Sequence, residues 1–166
     1  MSAQESLTDA SNKEGETSLS ALLSTLNIVL HPTTYVFATI LIDHFSASDF
    51  PIPVSDILLF FREPCTDISG SSPSAEQTTL ILPLSVARQH GIESIYPCKM
   101  LTCNVHSSLS AVGFMATLAK KLTERGISMN PVSGFFHDHL FVPVDRADEA
   151  VEVLDRVRKE AAENGE

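Results

Sequence analysis

Apolar positions along this chain follow two rhythms, one of period two and one near 3.6, and the rhythm changes at Pro, Gly and Asp. Leu19, Leu22, Leu23 and Leu26 recur at helical spacing, with Thr17 or Ser18 placed to cap them. His31-Pro32 breaks the chain ahead of TTYVFATILID (33–43). There Tyr35, Phe37, Thr39 and Leu41 take one face and Val36, Ala38, Ile40 and Ile42 the other. Apolar residues on both faces predict a strand covered on both sides. SASDFPIPVSD is turn-rich, ILLFFRE (57–63) is a second buried strand, and PCTDISGSSPSAEQ (64–77) reads as a long surface loop. TTLIL (78–82) is a third strand, after which Pro83 opens a short helix, LSVARQH, that Gly91 closes.

The second half repeats this mixture. YPCKMLTCNV (96–105) is a strand leading to a helix predicted from Ser107 to Arg125, with Leu109, Val112, Ala116, Ala119 and Leu122 on one stripe and Lys120, Lys121 and Glu124 facing away. Gly126 suits the position just past its end. ISMNPVSGFF and LFVPV are two strands joined by a tight reversal at His137-Asp138. The last helix opens at Asp145, carries Asp148 and Glu149 in its first turn and is predicted to end near Arg156, Arg158 and Lys159, which complements the helix dipole. The order of types is α, β, β, β, α, β, α, β, β, α. Such interleaving predicts an α+β sandwich with helices against one face of a mainly antiparallel sheet. A short echo between YVFATILID and LFVPVDRAD is consistent with two related halves.

Charge and composition exclude several classes. The formal charge is −10, with −3 in residues 1–18 and −4 in 145–166, so the acidity gathers at the ends. No Lys/Arg patch exists to neutralise phosphates, which argues against nucleic acid and anionic membranes as partners. No apolar run reaches the roughly 20 residues of a membrane span, and the polar start has no signal-peptide core. A cytoplasmic location is expected. Cys65, Cys98 and Cys103 show no CxxC spacing and read as free thiols.

The candidate chemistry lies in 105–144. A Ser-capped helix beginning at Ser107 would present unpaired first-turn amides, a ready site for a small anion. Ser107 and Ser108 supply hydroxyls there, and Asn130 and Asp138 supply acceptors for an ammonium group. Gly113 inside the predicted helix suggests close packing or a ligand against the backbone. His106, His137 and His139 are the alternative: three histidines of the kind that hold catalytic zinc, which would make the protein a metal-assisted hydrolase or lyase. No GxSxG elbow, GxGxxG or phosphate-binding loop is present.

The segment VHSSLSAVGFMATLAKKLTERGISMNPVSGFFHDHLFVPV resembles the ACT domain, a small regulatory fold that binds amino acids. The chain from about 17 to 157 resembles stand-alone ACT-domain proteins, which carry a strand like YVF in the first half and HSSL-x-AVG and HDHLFVP in the second. The resemblance implies a ferredoxin-like sandwich of two ACT-like halves, 17–91 (with loop 64–77) and 92–161, between a disordered acidic tail at 1–16 and a frayed tail at 162–166. It implies a binding and regulatory protein without catalytic activity or cofactor, taking an amino acid or related carboxylate, with ACT-like units paired either within the chain or across a homodimer. The site residues it carries over are His106, Ser107, Ser108, Leu109, Gly113 and Asn130, to which Asp138 is added from the residues themselves. The usual ACT corner has an Asp and then a Gly near the helix start. Here His106-Ser107-Ser108 stands in that place.

Overall fold

The computed structural model describes residues 15–42, 50–63 and 76–164. The elements follow the predicted order of types: α1 (Leu19–Ser24), β1 (Ile28–Ile42), β2 (Leu59–Glu63), β3 (Glu76–Pro83), α2 (Leu84–Gln89), β4 (Ile95–Cys103), α3 (Phe114–Thr123), β5 (Asn130–Ser133), β6 (Asp138–Pro143) and α4 (Ala147–Glu163). Ser18 caps α1, its hydroxyl accepting the amide of Ala21. β1 starts earlier than expected and runs straight through His31-Pro32. Proline removes a donor but not the extended conformation, so it interrupts the ladder without ending the strand.

Two compact units divide the chain, and they are interleaved. A terminal unit comprises 1–31 with 100–166, and a central unit comprises 32–99. A cut at 91/92 would separate α1 from the segments it packs with. β1 and β4 each pass from one unit into the other. The strand order is β1-β4-β6-β5 within the terminal unit and β2-β3-β1-β4 within the central one. In the central unit β3 pairs antiparallel with β1 (Phe37 opposite Ile81) and with β2 (Phe61 opposite Thr79). In the terminal unit β5 and β6 form an antiparallel hairpin with Ser133 opposite Asp138.

Each unit has its own core. In the terminal unit Leu101, Cys103, Leu140 and Val142 from the sheet meet Leu22 of α1 and Leu26 just beyond it, Phe114, Leu118 and Leu122 of α3, and Ala150, Leu154 and Val157 of α4. Three helices therefore cover one sheet face. Removing a buried leucine such as Leu118 from such a core costs about 2–5 kcal/mol. In the central unit Val36, Ala38, Leu80 and Leu82 pack with Phe50, Ile52 and Ala87. The period-two pattern of β1 and β3 places these residues on one face.

Three boundaries depart from the sequence reading. Of the expected tail 1–16, residues 1–14 lie outside the described residues, while Gly15 and Glu16 are built onto the 106–108 loop by backbone hydrogen bonds. Of the loop 64–77, residues 64–75 lie outside the described residues, and Glu76 and Gln77 already belong to β3. α4 continues to Glu163, one turn past Lys159, so its last turn holds no base. Alanines at 161 and 162 are strong helix formers and carry it on. Among the described residues no helix is long and apolar enough to cross a membrane.

Candidate functional site

α3 begins at Phe114, not at Ser107. Gly113 occupies its N-cap position at φ 90°, a left-handed conformation that favours glycine, and no side chain caps the helix. The segment 104–113 is consequently a loop, and Leu109 and Val112, expected on the buried stripe, are 69% and 84% exposed. The buried face of α3 is instead Phe114, Leu118 and Leu122.

Ser107 is buried for a different reason. Its hydroxyl donates to Asp138 Oδ2 at 2.8 Å, while Ser133 Oγ donates to Asp138 Oδ1. Asp138, only 7% exposed, opens β6 opposite Ser133. A buried carboxylate costs several kcal/mol unless its oxygens are bonded, and these two hydroxyls meet that need. A carboxylate has about four lone-pair positions, so acceptor capacity remains.

A cavity of about 160 Å³ opens beside this group. It is lined by Ser107, Ser108, Leu109, Ala111, Gly113, Ser133 and Asp138, together with Phe114, Met115 and Ala116 from the first turn of α3. Five of the seven predicted residues, Ser107, Ser108, Leu109, Gly113 and Asp138, therefore meet in one place. The first-turn amides of a helix have no intrahelical acceptor, so donors with a partial positive charge and a carboxylate acceptor face the same small space. The helix start expected at Ser107, and its first-turn amides with it, lies at Phe114 instead.

Two predicted residues are elsewhere. His106 is exposed, its ring 5.8 Å from that of Phe136. Asn130 is exposed at the start of β5, opposite Phe141, and does not line the cavity. The hairpin turn is the four residues 134–137, closed by Gly134 N donating to His137 O at 2.9 Å, not a reversal at His137-Asp138. Gly134 is required there, since a Cβ would lie 2.9 Å from that carbonyl oxygen. Ser133 is the residue that sequence reasoning missed. Its signal was available, because a tight turn between Ser133 and Asp138 makes them a cross-strand pair.

The three-histidine alternative is not formed. Among the described residues no group of three His, Cys, Asp or Glu side chains is placed to hold a metal ion. His106 sits on an exposed loop against Phe136, whereas His139 lies on β6 in a row with two other strands. Its Nδ1 is 2.9 Å from Thr102 Oγ1, which is 2.8 Å from His31 Nε2. One hydroxyl has one proton, so in the neutral row one imidazole donates to Thr102 and the other accepts from it. Burial holds the His139 pKa below 6.5, with His137 and His31 acting in the same direction and Asp138 opposing. Cys98 and Cys103 are buried and free. Burial, with Asp138 adding to it, pushes the Cys103 thiol up to about 12, which leaves it protonated and unreactive. Cys65 lies outside the described residues.

A larger open hollow of about 670 Å³ in the central unit is lined by Phe37, Ala38, Thr39, Thr79, Glu93, Ser94 and Ile95. It brings no helix start to the carboxylate of Glu93, so the paired chemistry of the smaller cavity is missing.

Comparison with known proteins agrees with this architecture. ACT-domain models match residues 14–99 and, in tandem, 93–156. A Vibrio cholerae protein of unknown function, described as a possible transport protein, is 35% identical, with 86% of this chain and 97% of that one covered and a TM-score of 0.67. The regulatory subunit of aspartate kinase from Thermus flavus shares the fold at 12% identity, covering 78% and 95%, with a TM-score of 0.53. The ligand-free regulatory subunit of aspartate kinase from Thermus thermophilus does so at 11% identity, covering 81% and 98%, with a TM-score of 0.57. No curated protein matches the chain. The chain belongs to the ACT-domain family, with two ACT domains in tandem on a ferredoxin-like fold.

Proposed function

We propose that this protein is a regulatory binding module that takes a small amino acid, or a related carboxylate, in the cavity between Ser107, Asp138 and the start of α3. The observation that carries the reading is the pairing of Asp138 with the uncapped first turn of α3 around one space. An amino acid presents an ammonium group to the carboxylate and a carboxylate to the amides. At about 160 Å³ the cavity is smaller than the roughly 300–1,000 Å³ of drug-sized ligand sites, which suits a ligand of a few heavy atoms. The names of the aspartate kinase relatives, which are regulatory subunits, support a role in regulation rather than catalysis. In this reading the protein works in the cytoplasm as a homodimer, without nucleic acid or membrane as partner.

Thermal-shift screening against the proteinogenic amino acids and common keto acids tests the proposal. One or a few of them should raise the melting temperature by several degrees, and Asp138→Asn should abolish the shift. A panel with no shift in the wild-type protein overturns it.

A further inference from the structure

The segment from Gly15 to Leu19 backs both walls of the cavity. Glu16 N donates to His106 O at 2.9 Å and Ser108 N donates to Glu16 O at 3.0 Å. These two bonds form a parallel bridge that brackets Ser107, the residue whose hydroxyl reaches Asp138. Ser107 is thus held by its backbone neighbours on one side and by its side chain on the other. At Gly15 the approach is so close that a Cβ would lie 2.6 Å from Ser107 C and Ser108 N and 2.8 Å from His106 O. All three are backbone atoms, so nothing there yields cheaply.

The segment is anchored in its turn. Glu16 Oε1 accepts the amides of Thr17 at 2.8 Å and Ser18 at 2.7 Å, which fixes the bend into α1. Ser18 caps that helix, and Leu22 within it and Leu26 after it enter the core. Leu19 Cδ2 lies 3.4 Å from where a Cβ would stand on Gly113, the residue that starts α3. The loop wall and the helix wall of the cavity therefore lean on five consecutive residues.

We propose that Gly15–Ser18 is a strap that positions the 106–111 wall of the cavity, so that docking of the strap and occupation of the cavity favour one another. The coupling to a ligand rests on the reading of the cavity given above, whereas the ordering of the wall does not. Gly15 and Glu16 are positioning residues: neither lines the cavity, and each acts through Ser107 and Ser108. Coupling of this kind is reciprocal, so a ligand that needs an ordered wall also tightens the strap.

Residue-by-residue amide exchange of the full chain, followed by NMR, tests the strap without any ligand. In Gly15→Ala the Glu16 and Ser108 amides should exchange about tenfold faster or more, the effect of losing one or two hydrogen bonds. The Ser107 amide, which donates to Val105 O, and the Ala111 amide, which donates to Ser108 O, should accelerate with them, while amides of α4 keep their protection. Glu16→Ala, which removes only the bend, should give the same pattern more weakly, and Glu16→Gln, which keeps an acceptor oxygen, should restore it. Unchanged Ser107 and Ala111 exchange in both Gly15→Ala and Glu16→Ala overturns the strap. With an amino acid that raises the wild-type melting temperature, Gly15→Ala should weaken binding about tenfold, and equal affinity overturns the coupling. If no amino acid shifts the wild type, the ligand reading fails, while the exchange pattern still decides whether the strap orders the wall.

Discussion

β3 and β6 are the same strand built twice, once in each unit, with different chemistry at one end. β6 reads DHLFVP and ends at Pro143, and β3 closes on TTLILP at Pro83. Aligned on the prolines, Leu140 and Leu80, Phe141 and Ile81, and Val142 and Leu82 correspond, and all six are at most 2% exposed. The core positions are interchangeable because burial asks only for volume and apolarity. Two residues earlier the copies part. Asp138 is bonded by two hydroxyls and lines a cavity. Its counterpart Thr78, 0% exposed, has a hydroxyl without a hydrogen-bond partner among the described residues. The repeat therefore conveys the fold, and the departure from the repeat marks the site.

The sharpest way to break this contrast is Asp138→Ala. It strips the acceptor from two hydroxyls, one of them on buried Ser107, and opens a void beside the first turn of α3. Unsatisfied buried partners cost about 1–3 kcal/mol each, so a loss of about 3 kcal/mol is expected in urea unfolding. Amino-acid binding should disappear with it. A variant as stable as wild type that still binds would separate Asp138 from both roles.

Thr102→Val attacks the other polar row of the terminal unit. It keeps the shape but leaves His31 and His139 without the hydroxyl they share. Both rings are half-buried and keep some access to water, so the expected loss is about 1–2 kcal/mol by the same urea measurement. In the central unit Thr79, which stands where β6 has His139, meets Glu63 instead, and its replacement by Val should cost less because that pair is exposed.

How much of this was legible depended on whether local or long-range physics decided. The order of elements was readable because apolar periodicity follows secondary structure, but burial was not: ILLFFRE, expected as a buried strand, lies at the sheet edge as β2 with Phe60 and Phe61 exposed, and Leu41 of β1 is exposed as well. The start of α3 was not, because Ser107 looks like a cap while its hydroxyl is taken by Asp138, thirty-one residues later in the chain. Gly113 carried the better signal, since glycine before an apolar helical run can adopt the left-handed turn that Ser cannot. Five of the seven candidate residues line one cavity for a reason other than the expected one: the first-turn amides beside Asp138 belong to Phe114, Met115 and Ala116. Gly15 gave no local signal at all, because only the approach of a distant backbone explains it.

The pH dependence should also be lopsided between the units. His139 binds its proton less readily when folded than when unfolded, so the unfolded chain holds more protons over that range. Its contribution is complete above the unfolded value of 6.5 and is lost as pH falls through 6.5 toward the folded value. His139→Gln should flatten the fall in stability below pH 6.5, read from urea midpoints across pH. The strand position that corresponds to it holds Thr79, so substitutions there should leave the pH profile unchanged. An unaltered profile in His139→Gln would remove His139 as its source.

The smallest expected effect is the most direct test of the contrast. Thr78→Val replaces a buried hydroxyl that has no partner among the described residues by a methyl group of nearly the same size, on the strand face that also carries Leu80 and Leu82. In most proteins a buried Thr→Val change costs stability, because the hydroxyl was bonded. Here the folded state already bears the desolvation of the hydroxyl without return, so stability should stay within about 0.5 kcal/mol of wild type or rise by about 1 kcal/mol. The same logic applied to Ser107→Ala predicts the opposite sign, since that hydroxyl is spent on Asp138. A marked loss in Thr78→Val would mean that the hydroxyl has a partner in the folded protein, and that the first repeat carries a polar site of its own at the place where the second holds Asp138.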